Sequence, residues 1–369
     1  MKDLHIACVS DIHIGNKRNT APEIISNLRK AFPDNAETAM LDIIFLAGDV
    51  FDDLLTLNDN DLATIDLWIC SLLHLCAKHD IVLRVLAGTG SHDWSQSERF
   101  ITINEIAKTN TDVKFVKDLS IEYIDRFGIN VLYVPDEWES STDKTLDQVK
   151  SLLSAKGLSK VDYAIMHGQF HYQLPPVVKA PKHNEEEYLA LVKELIFIGH
   201  VHKFSRYDRI IAQGSFDRLN HGEEEPKGHV RATVSKNSNR EIAFVENTTA
   251  KKFITIDCTY LSLDETISKI DNNVNALPDA SFVRVMGDSS NPIFSNMEML
   301  IRRYPLLLFS KLIKDTDEET VELIETDDVF IPITITPDNI VSLLLARLSN
   351  VCVKEDILDL SKNLLEEVK

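Results

Sequence analysis

The sequence predicts an α/β catalytic domain followed by a small α+β cap and a helical C-terminal tail. Three observations carry that reading. Short apolar runs of strand length alternate with segments of helical period, the pattern of β-α-β units. Clusters of Asp, His and Gly stand directly after the apolar runs, where loops crown the strand ends of an α/β sheet. A chain of 369 residues with 44% hydrophobic and 26% charged residues is long enough for one large domain plus a smaller one, and is not a disordered composition.

Residues 4–9 read as a buried strand that delivers Ser10-Asp11-Ile12-His13 at its end. In extended backbone alternate side chains share a face, so Asp11 and His13 would point the same way and bite one cation together. Residues 19–34 hold a short helix with Pro22 near its start, and residues 42–47 return as a strand ending at Gly48-Asp49. Asn58 or Asp59 can cap a helix with Leu62, Ile65, Ile69, Leu72, Leu73 and Cys76 on one face. A strand over 81–87 then leads into Gly88-Thr89-Gly90-Ser91-His92-Asp93. Strands over 129–134, 163–166 and 195–198, with helices near 144–154 and 185–192, continue the alternation, and His167-Gly168 and Gly199-His200-Val201-His202 end the last two strands. Residues 169–183, with Pro175, Pro176 and Pro181, read as an extended loop beside His167.

Composition shifts after Thr249, which sets the catalytic domain at 1–249 and a cap at 250–330. The cap reads as strand 253–257, helix 263–272, strand 282–286, helix 293–303 and strand 306–309, with an acidic run at 315–319 as a solvated linker. In the tail, 331–369, Pro337 opens a helix with Ile340, Leu343, Leu344 and Leu348 on one stripe, and a second helix carries Ile357, Leu360, Leu364 and Val368. No run approaches the ~18 apolar residues of a membrane span, and the N-terminus lacks a signal-peptide pattern, so a cytoplasmic protein without membrane contact is expected. Cys8, Cys70, Cys76, Cys258 and Cys352 are scattered and never spaced as CxxC, which argues against a disulfide framework and a thiolate zinc site. A net charge of −19 argues against strong free-standing DNA affinity. Two bound cations would bring about four positive charges to the site itself, and a basic partner could supply the rest.

The clusters together offer carboxylates and histidines from five strand ends, the mixed N/O set suited to Mn²⁺, Fe²⁺ or Zn²⁺. One ion cannot use them all. Two ions about 3.5–4 Å apart, bridged by one carboxylate, bind a phosphate and acidify a water, so phosphoester hydrolysis is the reaction such a site fits. In order, the blocks resemble those of the calcineurin-like metallophosphoesterases: Asp-x-His, Gly-Asp, Gly-Asn-His-Asp, His and Gly-His-x-His. The resemblance implies a four-layered α/β metallophosphoesterase sandwich. It implies Asp11, His13 and His202 on the first metal, His167 and His200 on the second, and Asp49 as the bridge. His92 matches the non-ligating histidine that steadies the transition state and protonates the leaving oxygen, and Asp93, in the same block, is counted with it as a catalytic candidate. Ser91 stands where the family has Asn. Either Ser91 or Thr89 reaches the second ion, or that site is weak and favours added Mn²⁺.

A narrower resemblance lies in Gly214-Ser215-Phe216-Asp217-Arg218, Glu223-Glu224-Glu225 and Lys227-Gly228, with Asp52 upstream. This stretch is similar to the one that follows the last histidine block in SbcD-type DNA repair nucleases. It implies a 3′–5′ exonuclease and single-strand endonuclease using two Mn²⁺ ions, a homodimer acting on DNA, and an SMC-like ATPase partner of the SbcC type docked on the tail helices. The short cap and tail are compatible with a phage-encoded member. Two rivals stand beside it: a small-nucleotide phosphodiesterase or phosphatase, and a weakly catalytic scaffold for the ATPase. His5, His74, His79, His183 and His229 fall outside the clusters and read as structural or surface residues. Trp94 reads as sheet packing or a base-stacking platform.

Overall fold

The computed structural model describes residues 3–55, 61–93 and 95–314. The chain divides into two compact units, 1–322 and 323–369. The tail helices, the acidic run, Trp94 and the expected caps Asn58 and Asp59 lie outside the described residues.

The first unit opens with β1 (Leu4–Val9), α1 (Ala21–Ala31), α2 (Ala36–Ala39), β2 (Ile43–Ala47), α3 (Leu62–His79), β3 (Val82–Leu86), α4 (Gly90–Asp93), α5 (Arg99–Ala107) and β4 (Val113–Val116). It continues with β5 (Ser120–Ile124), β6 (Ile129–Val134), α6 (Thr142–Ala155), β7 (Val161–Gly168), α7 (Glu185–Leu191) and β8 (Val192–His200). Two short strands follow, β9 (Ser205–Tyr207) and β10 (Ile210–Ala212), and then β11 (Gly228–Val234) and β12 (Arg240–Glu246). Last come β13 (Phe253–Asp257), α8 (Leu263–Val274), β14 (Phe282–Gly287), α9 (Met297–Arg303) and β15 (Leu308–Ile313).

Period-two burial explains how these elements layer. On β1, Ile6 and Cys8 face an inner core shared with Phe45, Val131, Tyr133, Ile165 and Phe197. Ala7 and Val9 face the opposite way, onto a core with Ile24 and Leu28 of α1 and Ile65 and Ile69 of α3. The inner core is pressed between two six-stranded sheets, β12-β11-β1-β2-β3-β4 and β5-β6-β7-β8-β10-β9. Helices α6 and α7 cover the second sheet through Leu146, Val149 and Tyr188. The result is the four-layered α/β sandwich expected. Strands β1 to β4 run parallel, as do β6, β7, β8 and β10, so their C-terminal ends gather at one edge of each sheet. Among the described residues no helix is long and apolar enough to cross a membrane.

Within 3–249 of the described residues, the strands and helices read from the sequence occur within a few residues of their expected bounds, and Asp61 stands at the N-terminus of α3. Strands β4, β5 and β9 to β12 and helix α5 had no clear pattern; β12, for instance, alternates half-buried and exposed residues at a sheet edge. In the cap, β13, β14 and β15 form an all-parallel sheet with α8 and α9 as crossovers over Ile256, Ile270, Val283, Val285 and Leu300. The expected helix over 293–303 is split: a 3₁₀ turn, Pro292–Ser295, is held by the Asn291 side chain accepting from Ile293 N, and α9 starts only at Met297. The last strand lies at Leu308–Ile313 rather than 306–309.

A buried ion pair away from the site also crosses between the sheets. Arg84 on β3 donates from Nε at 3.0 Å and Nη2 at 3.1 Å to Glu122 on β5, which also accepts from Tyr133 Oη at 2.9 Å. Breaking a buried pair strands the partner charge at a cost of about 3–5 kcal/mol. Asp112, 2.9 Å from Arg84 Nη1, moderates that here. Glu122→Ala is expected to lower unfolding free energy by at least about 2 kcal/mol in urea denaturation, and no loss would mean the pair does not join the sheets.

Candidate metal centre

The candidate residues converge where the strand ends of the two sheets meet. Asp11 and His13 follow β1, Asp49 follows β2, and Thr89 to Asp93 follow β3. From the other sheet, Asp136 follows β6, while His167 and His200 end β7 and β8. Asp11, His13 and His202 form one group and Asp49, His167 and His200 another, each with donor atoms within 4.8 Å of one another. Two donors about 2.1 Å from one ion are at most about 4.2 Å apart. His13 Nε2 and His202 Nε2 are 3.2 Å apart, His202 Nε2 is 3.9 Å from Asp11 Oδ1, and His167 Nε2 is 3.2 Å from Asp49 Oδ2. Asp49 Oδ2 also lies 4.0 Å from His13 Nε2, so this carboxylate stands between the groups.

Asp11 and His13 do share a side, but not through extended backbone. Both are left-handed, with φ of +49° and +53°, and Asp49 is too, at +48°. Such conformations are strained for residues with a Cβ and concentrate at functional sites. They are held by the backbone bonds Asp11 N–H to Gly48 O and His13 N–H to Asp49 O, both 3.1 Å. Gly48 (φ +88°) lies so close to His167 that a Cβ there would meet Nδ1 at 2.1 Å, so only glycine fits.

His13 Nδ1 lies 2.8 Å from Asp52 Oδ1 without making a hydrogen bond. Two other histidines present Nε2 to the centre because Nδ1 is engaged: His167 Nδ1 donates to Ala47 O at 2.7 Å, and His202 Nδ1 lies 3.1 Å from Glu223 Oε1. This fixes the tautomer and leaves Nε2 as the lone-pair donor, the arrangement that orients metal-ligating histidines. His167 Nε2 is fully buried and, although 3.2 Å from Asp49, makes no hydrogen bond. Such an atom is costly unless a cation takes it, so the donor set fits divalent ions. Asp11 is held by the His200 backbone N–H at 2.9 and 3.0 Å and by the Ser10 hydroxyl at 2.5 Å.

Burial pushes the Asp49 carboxyl upward, but His167, then His13 and His92, outweigh it and hold the group well below the usual carboxylate range. Burial alone would lower His167, and the Asp49 charge reverses this and raises it. A cation at this position would compete with a proton on His167. Burial, then the charge of His167, lowers His200. Glu223 is carried down to about 2 because its contacts with His202 and Lys227 outweigh burial.

Against known families, residues 4–208 match the calcineurin-like phosphoesterase family. The chain belongs to that family. Calcineurin-like phosphoesterases are metal-dependent phosphoester hydrolases, and the donor groups described above, with a third formed by His13, Asp52 and His92, could hold a metal ion. No curated protein matches the chain in sequence. Among solved structures, TT1561 of Thermus thermophilus is 10% identical with a TM-score of 0.38, covering 65% of this chain and 98% of that one. A second crystal structure is 11% identical with a TM-score of 0.39, covering 66% and 100%.

Within this phosphoesterase the third block offered two oxygen donors for the second ion, Ser91 and Thr89. Ser91 is exposed, whereas Thr89 is buried against the site. Thr89 N–H donates to Asp49 Oδ1 at 2.6 Å, and its hydroxyl lies 3.4 Å from both Asp49 Oδ2 and His200 Nδ1. His92 donates from Nδ1 to Asp52 O at 2.7 Å, its ring edge-on to His13. Both oxygens of Asp93 are committed to backbone, accepting from Gly88 N at 2.8 Å and Phe51 N at 3.1 Å. Asp93 thereby clamps the loops carrying Asp49 and His92, with burial and the Asp49 charge raising its carboxyl to about 6.

The sequence reading assigned no site role to Asp136, and gave Asp52 and Glu223 only as subgroup signatures. The stretch from Gly214 to Gly228 is a strut beneath His202: Lys227, 1% exposed, donates to His202 O at 2.8 Å and meets Glu223 at 3.0 Å. Arg218 donates to Glu225 O at 3.0 Å. Removing the carboxylate behind a metal-binding histidine lowers affinity about 10–100-fold. Glu223→Gln is expected to weaken Mn²⁺ binding in calorimetric titration by that order; unchanged affinity would show that His202 is oriented otherwise.

Proposed function

We propose that this chain is the nuclease subunit of an SbcD-type DNA end-processing complex, a 3′–5′ exonuclease and single-strand endonuclease working with two Mn²⁺ ions. The reading is carried by the two donor groups meeting at Asp49 with His92 beside them. DNA as substrate is supported by the SbcD-like stretch from Gly214 to Gly228, which in this chain is the strut of His202 rather than a detached surface motif.

Cations held by the two groups would supply positive charge to the phosphate oxygens and acidify the attacking water. The chain's own residues do the rest. Asp49 keeps the groups in one site, and Asp11, fixed by Ser10 and the His200 N–H, ties the two sheets across it. With Nδ1 engaged by Asp52 O, His92 has Nε2 left for substrate, and its protonated form can deliver a proton to the departing oxygen. The net charge of −19 leaves extended DNA contact to a partner. An SbcC-type SMC-like ATPase, docked on the helices expected within 337–369 of a homodimer, fits that need.

The test is cleavage of end-labelled duplex and single-stranded DNA by the purified chain in Mn²⁺. Activity should vanish in EDTA and fall about 10²–10⁴-fold in His92→Ala, the range of a lost general acid. Retained hydrolysis of a small bis-phosphodiester with no DNA cleavage, alone or with an SbcC-type ATPase, would contradict the nuclease reading and favour a small-nucleotide phosphodiesterase.

A further inference from the structure

The second donor group is incomplete as the sequence blocks define it. Asp49, His167 and His200 supply one carboxylate and two imidazoles, while ions such as Mn²⁺ favour more oxygen donors. Ser91, in the block that would supply the next oxygen, is exposed. Beside His200 of this group lies Asp136, two residues past the end of β6. Asp136 Oδ2 lies 3.8 Å from His200 Nδ1 and 3.0 Å from the Thr89 hydroxyl. The first distance is too long for a hydrogen bond, yet within the ~4.2 Å limit for two donors on one ion.

Charge and proton counting point the same way. The Thr89 hydroxyl lies within reach of Asp136 Oδ2 at 3.0 Å and Asp49 Oδ2 at 3.4 Å, but it has a single proton to give. Two carboxylates therefore converge on one neutral donor. The Asp136 side chain is only 12% exposed, and nearby positive charge stabilises a carboxylate so far removed from water.

We propose that the Asp136 carboxylate is the oxygen donor that completes the second cation site, with the Thr89 hydroxyl holding its orientation. The proposal rests on the two-ion reading above, and deepens it by giving the site a second carboxylate. A site with two carboxylates binds hard divalent cations more strongly than one that relies on a serine hydroxyl.

The test is Mn²⁺ binding to the full chain by calorimetry and native mass spectrometry, which read the ions without activity. The parent should bind two equivalents; a single equivalent would refute the two-ion reading itself before any variant is compared. Asp136→Ala should weaken the second equivalent by at least 10-fold and leave the first within about three-fold. Asp136→Asn, which keeps the shape and an oxygen, should fall between Ala and parent, and decides the matter if the Ala variant does not fold. Thr89→Val should lose less than Asp136→Ala. Unchanged second-site affinity in Asp136→Ala, or in Asp136→Asn should Ala misfold, would overturn the proposal. So would an equal loss in Thr89→Val, which would assign the donor to Thr89.

Discussion

The site depends on keeping Asp49 ionised between two groups of histidines. A carboxylate taken out of water is costly unless positive charge and hydrogen bonds meet it from all sides. Asp49 is met by the Thr89 N–H at 2.6 Å, His167 Nε2 at 3.2 Å and His13 Nε2 at 4.0 Å. Those partners come from both sheets. The site is therefore a consequence of packing two sheets face to face with their parallel strand ends at one edge, and neither sheet alone could form it.

Close approach at that edge explains several local features together. Asp11, His13 and Asp49 leave their strands in left-handed conformations, so that the loops after β1 and β2 turn sharply at the site. Gly48 and Gly199 are small because His167 lies against both: a Cβ on Gly199 would meet Ala47 O at 2.4 Å and His167 Nδ1 at 2.9 Å. Asp93 then locks the β2 and β3 loops through backbone N–H groups. The strain is offset by a dense set of backbone bonds, which is how a site is held ready before substrate arrives.

Much of this was legible in the sequence, because each block is local: an apolar run, a glycine where backbone must pass closely, and a ligand-type side chain. The central strands carried the fold for the same reason, being buried on both faces. Edge strands such as β9 and β12 bury one face or less and left no clear pattern. The shared side of Asp11 and His13 was expected, but from strand alternation, and the structure achieves it by left-handed turns instead. Asp136 escaped because nothing local marks a Pro-Asp pair as part of a site. Its meaning comes from Thr89 and His200, residues 47 and 64 positions away along the chain, counted from the sequence. Glu223 was visible only as a signature, since its contact with His202 spans a chain reversal that spacing does not reveal.

The central claim is that Asp49 makes the two donor groups one site rather than two neighbouring ones. Electron paramagnetic resonance of the chain loaded with two equivalents of Mn²⁺ tests it most directly, because ions sharing a carboxylate about 3.5–4 Å apart are magnetically coupled. The account predicts a coupled spectrum that reverts to that of isolated ions in Asp49→Ala. Independent six-line signals that simply add as the second equivalent binds to the parent would contradict it.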